Sequence, residues 1–466
     1  MLKTVLWLVA ALGLAVAIAL GLRAYGTALV GSGYSAAILC GAVFVSGRDP
    51  ATVEAEDLSG PGLELLSLFD KRVARDDKRV TGSFHGLAAQ TAIVRDGFGC
   101  TRVNGSAADL PAMPAVSPAP PADPAALWPD GERVDPDAPA DGIDRTALDA
   151  AVAAAFDEPD PAHPRNTRAL VVVQRGRIVA ERYAPGFGKD MKLIAWSMAK
   201  GAMNALIGLR VEDGKLAVTD EALLPEWRQA GDRRGGISLD DLLRMSSGLA
   251  FDESYGDPLG DVTEMLFVAN DMAKFAADKP LLHAPGSEWN YSSGTTVLLA
   301  RVLRETFASD ADYLRYPGER LFGPLGMRSA VLETDASGTF VASSLLYASA
   351  RDFARLGLLF LNDGVWRGMR LLPEGWVGYT LTPTKGAPDQ SYGAQMWLKL
   401  PESQGYGEPP MPDDAFYFLG YDEQIIAVVP SRDLVIVRLG LTQDGGDWDH
   451  ARDLAPIVAA FQSRGG

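Results

Sequence analysis

Between Ala199 and Leu209 the residues Ala199, Gly201, Ala202, Met203, Ala205, Leu206, Ile207 and Leu209 leave almost no polar face before Arg210. A helix apolar nearly all round has to be enclosed. The rest of the chain must therefore build layers around this segment, and Gly214 stops it at a C-cap-like position. Lys200 stands at its start, so the sequence places a lysine at the mouth of a buried central helix. Burial there favours the neutral amine, and the positive end of the helix dipole pushes the same way.

Ser197 lies three residues before Lys200, the single place in the chain where a serine and a lysine have this spacing. Residues three apart on a helix share a face. A serine hydroxyl becomes a useful nucleophile once a base takes its proton, and a neutral lysine one turn away can be that base. The structural alternative is a Lys200 paired with a buried carboxylate and doing no chemistry. A second constellation, Trp289-Asn290-Tyr291-Ser292-Ser293-Gly294, follows the turn His283-Ala284-Pro285-Gly286 and precedes a helical run from Thr295 to Leu303. A loop tyrosine such as Tyr291 can relay a proton between nucleophile and leaving group. Its plain alternative is a packed loop side chain.

Together these residues resemble the serine β-lactamase and penicillin-binding-protein superfamily. Within it they look most like the branch of class C-like esterases and 6-aminohexanoate-dimer hydrolases. Ser197 and Lys200 match the Ser-x-x-Lys of that family, and Tyr291-Ser292-Ser293 its Tyr-x-Asn or Tyr-x-Ser. Leu242 to Leu249, Pro324 to Met327 and Ser349 to Gly357 resemble flanking stretches in the same order, so the likeness runs over roughly 143 to 462. It implies an α/β chain of α+β type, with an antiparallel sheet flanked by helices plus a mostly helical subdomain at about 210–345. It also implies acyl transfer through Ser197, Lys200 and Tyr291, no cofactor and no metal. Ser293 enters as a substrate-side residue on the same likeness.

The third family motif, Lys-Thr-Gly, is missing. Its matching place is Gly420-Tyr421-Asp422-Glu423-Gln424, before the strand Ile425 to Val429, a turn at Pro430 to Asp433 and the strand Leu434 to Leu439. Thr384-Lys385-Gly386 has similar letters in the wrong order and reads as a loop. Loss of the cation speaks against β-lactam or cell-wall peptide substrates. What remains is backbone. The likeness implies an oxyanion hole from the amides of Ser197 and Tyr421, or of Asp422 if the register shifts by one. Tyr255 falls in the loop where the nylon-oligomer branch carries a second tyrosine that donates to an amide's leaving nitrogen. The reading is a hydrolase of small amides or esters. The alternatives are an inactive penicillin-binding-like module, and a β-lactamase or D,D-peptidase. Asp252-Glu253 and Asp422-Glu423 read as solvated acids or as partners for a cationic amine.

Other chemistries lack their residues. The chain has four histidines and no His-x-x-x-His, Cys-x-x-Cys or Gly-x-Ser-x-Gly pattern. A formal charge of −17 disfavours nucleic acid as a partner.

The run Val5–Leu22 is uncharged and long enough to span a bilayer. The sequence predicts a signal anchor over 1–26, with a cleaved secretory signal as the alternative, and an exported segment at 27–103 on the periplasmic face of the envelope. A second apolar stretch, Ala28 to Val45, is read as folded, and its end from Cys40 to Arg48 as a leader strand; a second span is the alternative. Cys40 and Cys100 are the two cysteines, and export makes them a candidate disulfide. Prolines crowd 104–142 and mark a linker or surface-hugging arm. The hydrolase region, 143–466, opens with a helix at Arg145 to Phe156 and a hairpin at Ala169 to Gln174 and Arg177 to Tyr183. It closes with a helix at Asp449 to Gln462. Oligomeric state is not written in these features.

Overall fold

The structure is a computed structural model, and it describes residues 2–106, 110–116, 121–135, 141–401 and 410–463. It begins with one long helix, α1 (Leu2–Cys40), which ends in a π-helical turn at Gly41–Val45. Residues 4–25 are exposed, whereas Val30, Ala36, Leu39, Cys40 and Val43 are buried. Thr4–Val45 is long and apolar enough to cross a membrane by length and composition. The expected leader strand at Cys40 is therefore corrected to helix. Nothing between Ala28 and Cys40 breaks the helix, and its small residues let neighbours approach. Gly31 lies against the Phe69 ring, Gly33 against the Phe267 carbonyl and Gly41 against the Tyr347 hydroxyl.

The 27–103 region carries a sheet the sequence did not disclose. Strands β1 (Asp70–Ala74), β2 (Arg79–Phe84), β3 (Leu87–Arg95) and β4 (Gly99–Val103) pair antiparallel in sequence order. The packed half of α1 crosses this sheet. A disulfide joins Cys40, at the end of α1, to Cys100 in β4. The proline-rich segment is described only in part; Pro118, Pro120, Pro136 and Pro139 fall outside the described residues. Residues 121–135 run over the catalytic body as an arm, with Trp128 buried.

The main sheet needs both ends of the chain. After helix α2 (Arg145–Ala154), capped by the Asp144 carboxylate, come β5 (Thr167–Gln174) and β6 (Arg177–Tyr183). Helices α3 (Ala199–Glu212), α4 (Ser293–Glu305) and α5 (Ala350–Leu361) follow. Strands β7 (Phe416–Gly420), β8 (Gln424–Val429) and β9 (Leu434–Gly440) then lead to α6 (His450–Ala459). The sheet order is β7-β8-β9-β5-β6, antiparallel throughout. Alternation along β5 serves two cores. Val171 and Val173 join the cluster that contains α3 and α5, while Leu170 and Val172 join the cluster with α2 and α6. Gly357 lets α5 seat directly on Ile426 and Val435. The antiparallel sheet with helices on both faces is the expected class. Between 210 and 345 the order is mostly helical, with helices at Leu239–Leu243, Asp261–Phe267, Met272–Ala277 and Asp310–Pro317 beside α4.

Candidate active site

Ser197 sits in a single 3-10 turn, Trp196–Met198, directly before α3. Trp196 has φ +47, a left-handed conformation uncommon for a residue with a side chain. Its indole N–H donates to Asp422 Oδ2 at 3.1 Å, which anchors the turn from behind. In front, two glycines bring the end of β7 against the turn. A Cβ on Gly201 would strike the Phe418 ring, and one on Gly420 would strike the Ala195 carbonyl.

Lys200 is buried and donates to three oxygens: Ser197 Oγ at 2.9 Å, Ser293 Oγ at 3.1 Å and the Ser343 carbonyl at 3.2 Å. None is a carboxylate, so the simple buried ion pair is not what the helix mouth contains. Loss of solvent pulls the Lys200 ammonium down to about 8, against a smaller upward pull from the Glu253 charge. The ammonium nitrogen lies 4.8 Å from the centre of the Tyr291 ring.

Ser293 begins α4, whose N-cap is Ser292. Its amide and hydroxyl both donate to Glu253, at 2.7 and 2.5 Å. Burial raises the Glu253 carboxyl above the usual range. The expectation of a solvated acid at 253 is thus corrected. The loop after Phe251 turns Glu253 inward because the first amides of α4 lack partners within the helix, and a carboxylate satisfies one of them. Asp252 stays exposed.

Tyr291 belongs to an aromatic wall with Trp289, Tyr392 and Trp397. Burial pushes its phenol up, and the nearby Glu253 charge adds to the rise. Tyr255 reaches the same centre. Burial pushes its phenol well up, and its ring stacks on that of Tyr421 at 5.0 Å. Ser197, Lys200, Tyr291, Ser293 and Tyr255 are therefore brought together, and Tyr421 closes over one side. Asp422 is not part of this surface. It occupies the turn between β7 and β8 at φ +58, and its buried carboxyl faces a small cavity lined also by Arg48, Asp57 and Arg168. Burial pushes that carboxyl up to about 7. Sequence reasoning read Glu253 as a solvated acid or an amine partner rather than a neighbour of Ser293, and passed over the Ser343 carbonyl, Trp397 and Tyr392. The one available signal was an acid two residues before Tyr255 in the likeness-bearing loop.

Comparison with known proteins identifies the family and the fold. Residues 150–460 match the family described as Beta-lactamase. The chain is 26% identical over 335 residues to the 6-aminohexanoate-dimer hydrolase of Paenarthrobacter ureafaciens, a match covering 67% of this chain and 81% of that protein. A candidate 6-aminohexanoate-dimer hydrolase from Bacillus anthracis superposes with TM-score 0.52 at 24% identity, over 63% of this chain and 77% of that one. EstCE1, a hydrolase with promiscuous acyltransferase activity, gives TM-score 0.52 at 15% identity, over 68% and 97%. At such identities the solved structures speak for the fold. The family match, spanning well over half of the sequence, makes this chain a member of the beta-lactamase family and a hydrolase of beta-lactamase fold.

Proposed function

We infer that the protein is a serine hydrolase of small ester and amide bonds, working through an acyl-enzyme on Ser197. The observation that carries this reading is Lys200, desolvated and 2.9 Å from Ser197 Oγ. With a pKa of about 8, about a tenth of Lys200 is neutral at pH 7, against a few parts in ten thousand for an ordinary lysine.

The neutral amine takes the Ser197 proton as Oγ attacks the substrate carbonyl. The amides of Ser197 and Tyr421 receive the developing oxyanion, a placement favoured by the close seating of Gly420 on Ala195. Tyr291, whose ring centre lies 4.8 Å from the Lys200 ammonium, carries the proton to the departing alcohol or amine. Water then attacks the acyl carbon, gives up its proton to the Lys200–Tyr291 pair, and Ser197 leaves with a proton restored. Tyr255 serves the leaving nitrogen of amides. Similarity to a 6-aminohexanoate-dimer hydrolase favours linear amides, and the absent Lys-Thr-Gly disfavours β-lactams. On this reading residues 143–466 are the hydrolase unit. Residues 27–103 tie it to an anchor at 1–26, and the disulfide fits an exported protein.

The test is the intact mass of the protein after exposure to a fluorophosphonate, beside Ser197→Ala. One adduct on the wild type that is absent from the variant is the expected result. A folded wild type that takes no adduct would sink the hydrolase reading in favour of a binding module.

A further inference from the structure

Where α1 leaves the folded body, the rest of the molecule changes character. Arg23 pairs with Asp257 at 3.1 Å, and Gly26 packs on Leu259. Both partners belong to the loop that carries Glu253 and Tyr255. The Tyr255 Cα is at most about 7 Å from that of Asp257, two residues along. On α1 itself Trp7 and Tyr25 are exposed and 18 residues apart in the sequence. That separation is about 27 Å along a helix, close to the thickness of a hydrocarbon core with an aromatic residue at each boundary. Arg23 suits the headgroup layer, where a long cationic side chain can reach water.

The N-terminal sheet is oriented to match. Gln90 donates to the Leu29 carbonyl, and Leu87 lies three residues nearer the tip of the β2–β3 hairpin. Three strand residues cover about 10 Å, or six to seven helical residues, so the tip is level with Leu22 and Arg23, next to Tyr25. Asp70 pairs with Ser83, and the Phe69 ring meets that of Phe84 at 5.4 Å. The 3-10 turn Glu64–Leu68 therefore lies at the same end. Leu65 (65%), Leu68 (49%) and Leu87 (65%) are exposed there. The opposite end of the sheet carries the turn Arg75-Asp76-Asp77-Lys78. The exposed leucines form a collar beside the exit of α1, interrupted by Glu64 and Asp70, whereas the turn at the opposite end is charged.

We propose that the collar seats in the outer layer of the bilayer that α1 crosses, and that Ser197 acts on uncharged or cationic long-chain acyl amphiphiles presented at that surface. The collar continues the apolar face of α1, so lipid covers it. A chain of net charge −17 disfavours anionic amphiphiles. This names the substrate class of the site described above and rests on the hydrolase reading. It places the Tyr255 loop at the interface, where a carbonyl can reach Ser197 while its hydrocarbon stays in the lipid.

The full chain is assayed in phosphatidylcholine nanodiscs and in detergent with a soluble butyrate ester and a palmitate ester of the same alcohol. Nanodiscs are expected to raise the palmitate-to-butyrate ratio of kcat/KM by about tenfold or more. Leu65→Asp and Leu87→Asp, tested singly, are expected to abolish that gain and leave butyrate turnover intact, which also reports folding. An unchanged ratio with butyrate turned over overturns this proposal alone. No turnover of either ester, with no fluorophosphonate adduct, removes the hydrolase reading and this one with it. Variants that dissociate an oligomer while keeping the palmitate gain would mark the collar as a face between copies and overturn the proposal.

Discussion

Lys200 decides what the centre can do; its burial sets the pH at which it does so, and Glu253 adjusts it. Lys200 works as a base only when neutral, and its folded pKa lies below that of free lysine at about 8. The rate should therefore rise with pH, tenfold per unit below about 8, and level off above it. The Glu253 charge holds Lys200 up, so Glu253→Gln should move the rising limb to lower pH. An unmoved limb in kcat/KM against pH would separate Glu253 from the base. Tyr255→Phe removes a buried hydroxyl beside the Ser197 centre and should cost amide turnover more than ester turnover; equal losses would leave Tyr255 a packing residue. Ser197, Lys200 and Tyr291 were legible because helical spacing and adjacency to a helix start are local properties. Glu253 was not. It reaches Ser293 across 40 residues of chain, and an acid in a polar loop reads as solvated until the amides it satisfies are in view.

Among elements, the strands and helices of the catalytic body could be read because apolar runs bounded by turns are distinctive. Thus Leu434 to Leu439 was expected and Leu434–Gly440 is observed. The second half of α1 was harder, since an Ala- and Gly-rich apolar stretch fits a span, a strand or a packed helix alike. The N-terminal strands hid for another reason. β1 reads Asp70-Lys71-Arg72-Val73-Ala74 and is only half-buried, so its alternation is weak. The disulfide compensates for this thin core. It closes a separation of 60 residues, and constraining a loop of that size in the unfolded chain contributes about 4 kcal/mol. Replacing Cys40 and Cys100 by serine should make 27–103 open well before the catalytic body in urea, read by proteolysis. Coincident opening would mean that the packing of α1 on its sheet suffices without the staple.

For the whole molecule, the question is how a proline-rich segment with little core of its own holds a fixed course. The sequence marked an arm by composition, but the grip depends on residues more than two hundred positions away. Arg355 in α5 donates to the carbonyls of Pro129 and Gly131, at 3.1 and 3.2 Å, and its guanidinium lies 5.4 Å from the Trp128 ring. Arg351 reaches the Glu132 carbonyl at 2.8 Å. Two buried arginines on a core helix, already paired with Glu181 and Asp352, thus fill their remaining donors with backbone oxygens of the arm, and the arm gains order from them. The dependence runs both ways. Trp128→Ala should therefore destabilise the catalytic body by about 3–5 kcal/mol, and the arm should become a protease site within 121–135. A variant cut at the arm with an unchanged urea midpoint for the body would show that the arm rides on α5 without supporting it. A lowered midpoint together with the new cleavage would make the arm part of the same cooperative unit as the sheet beneath Ser197.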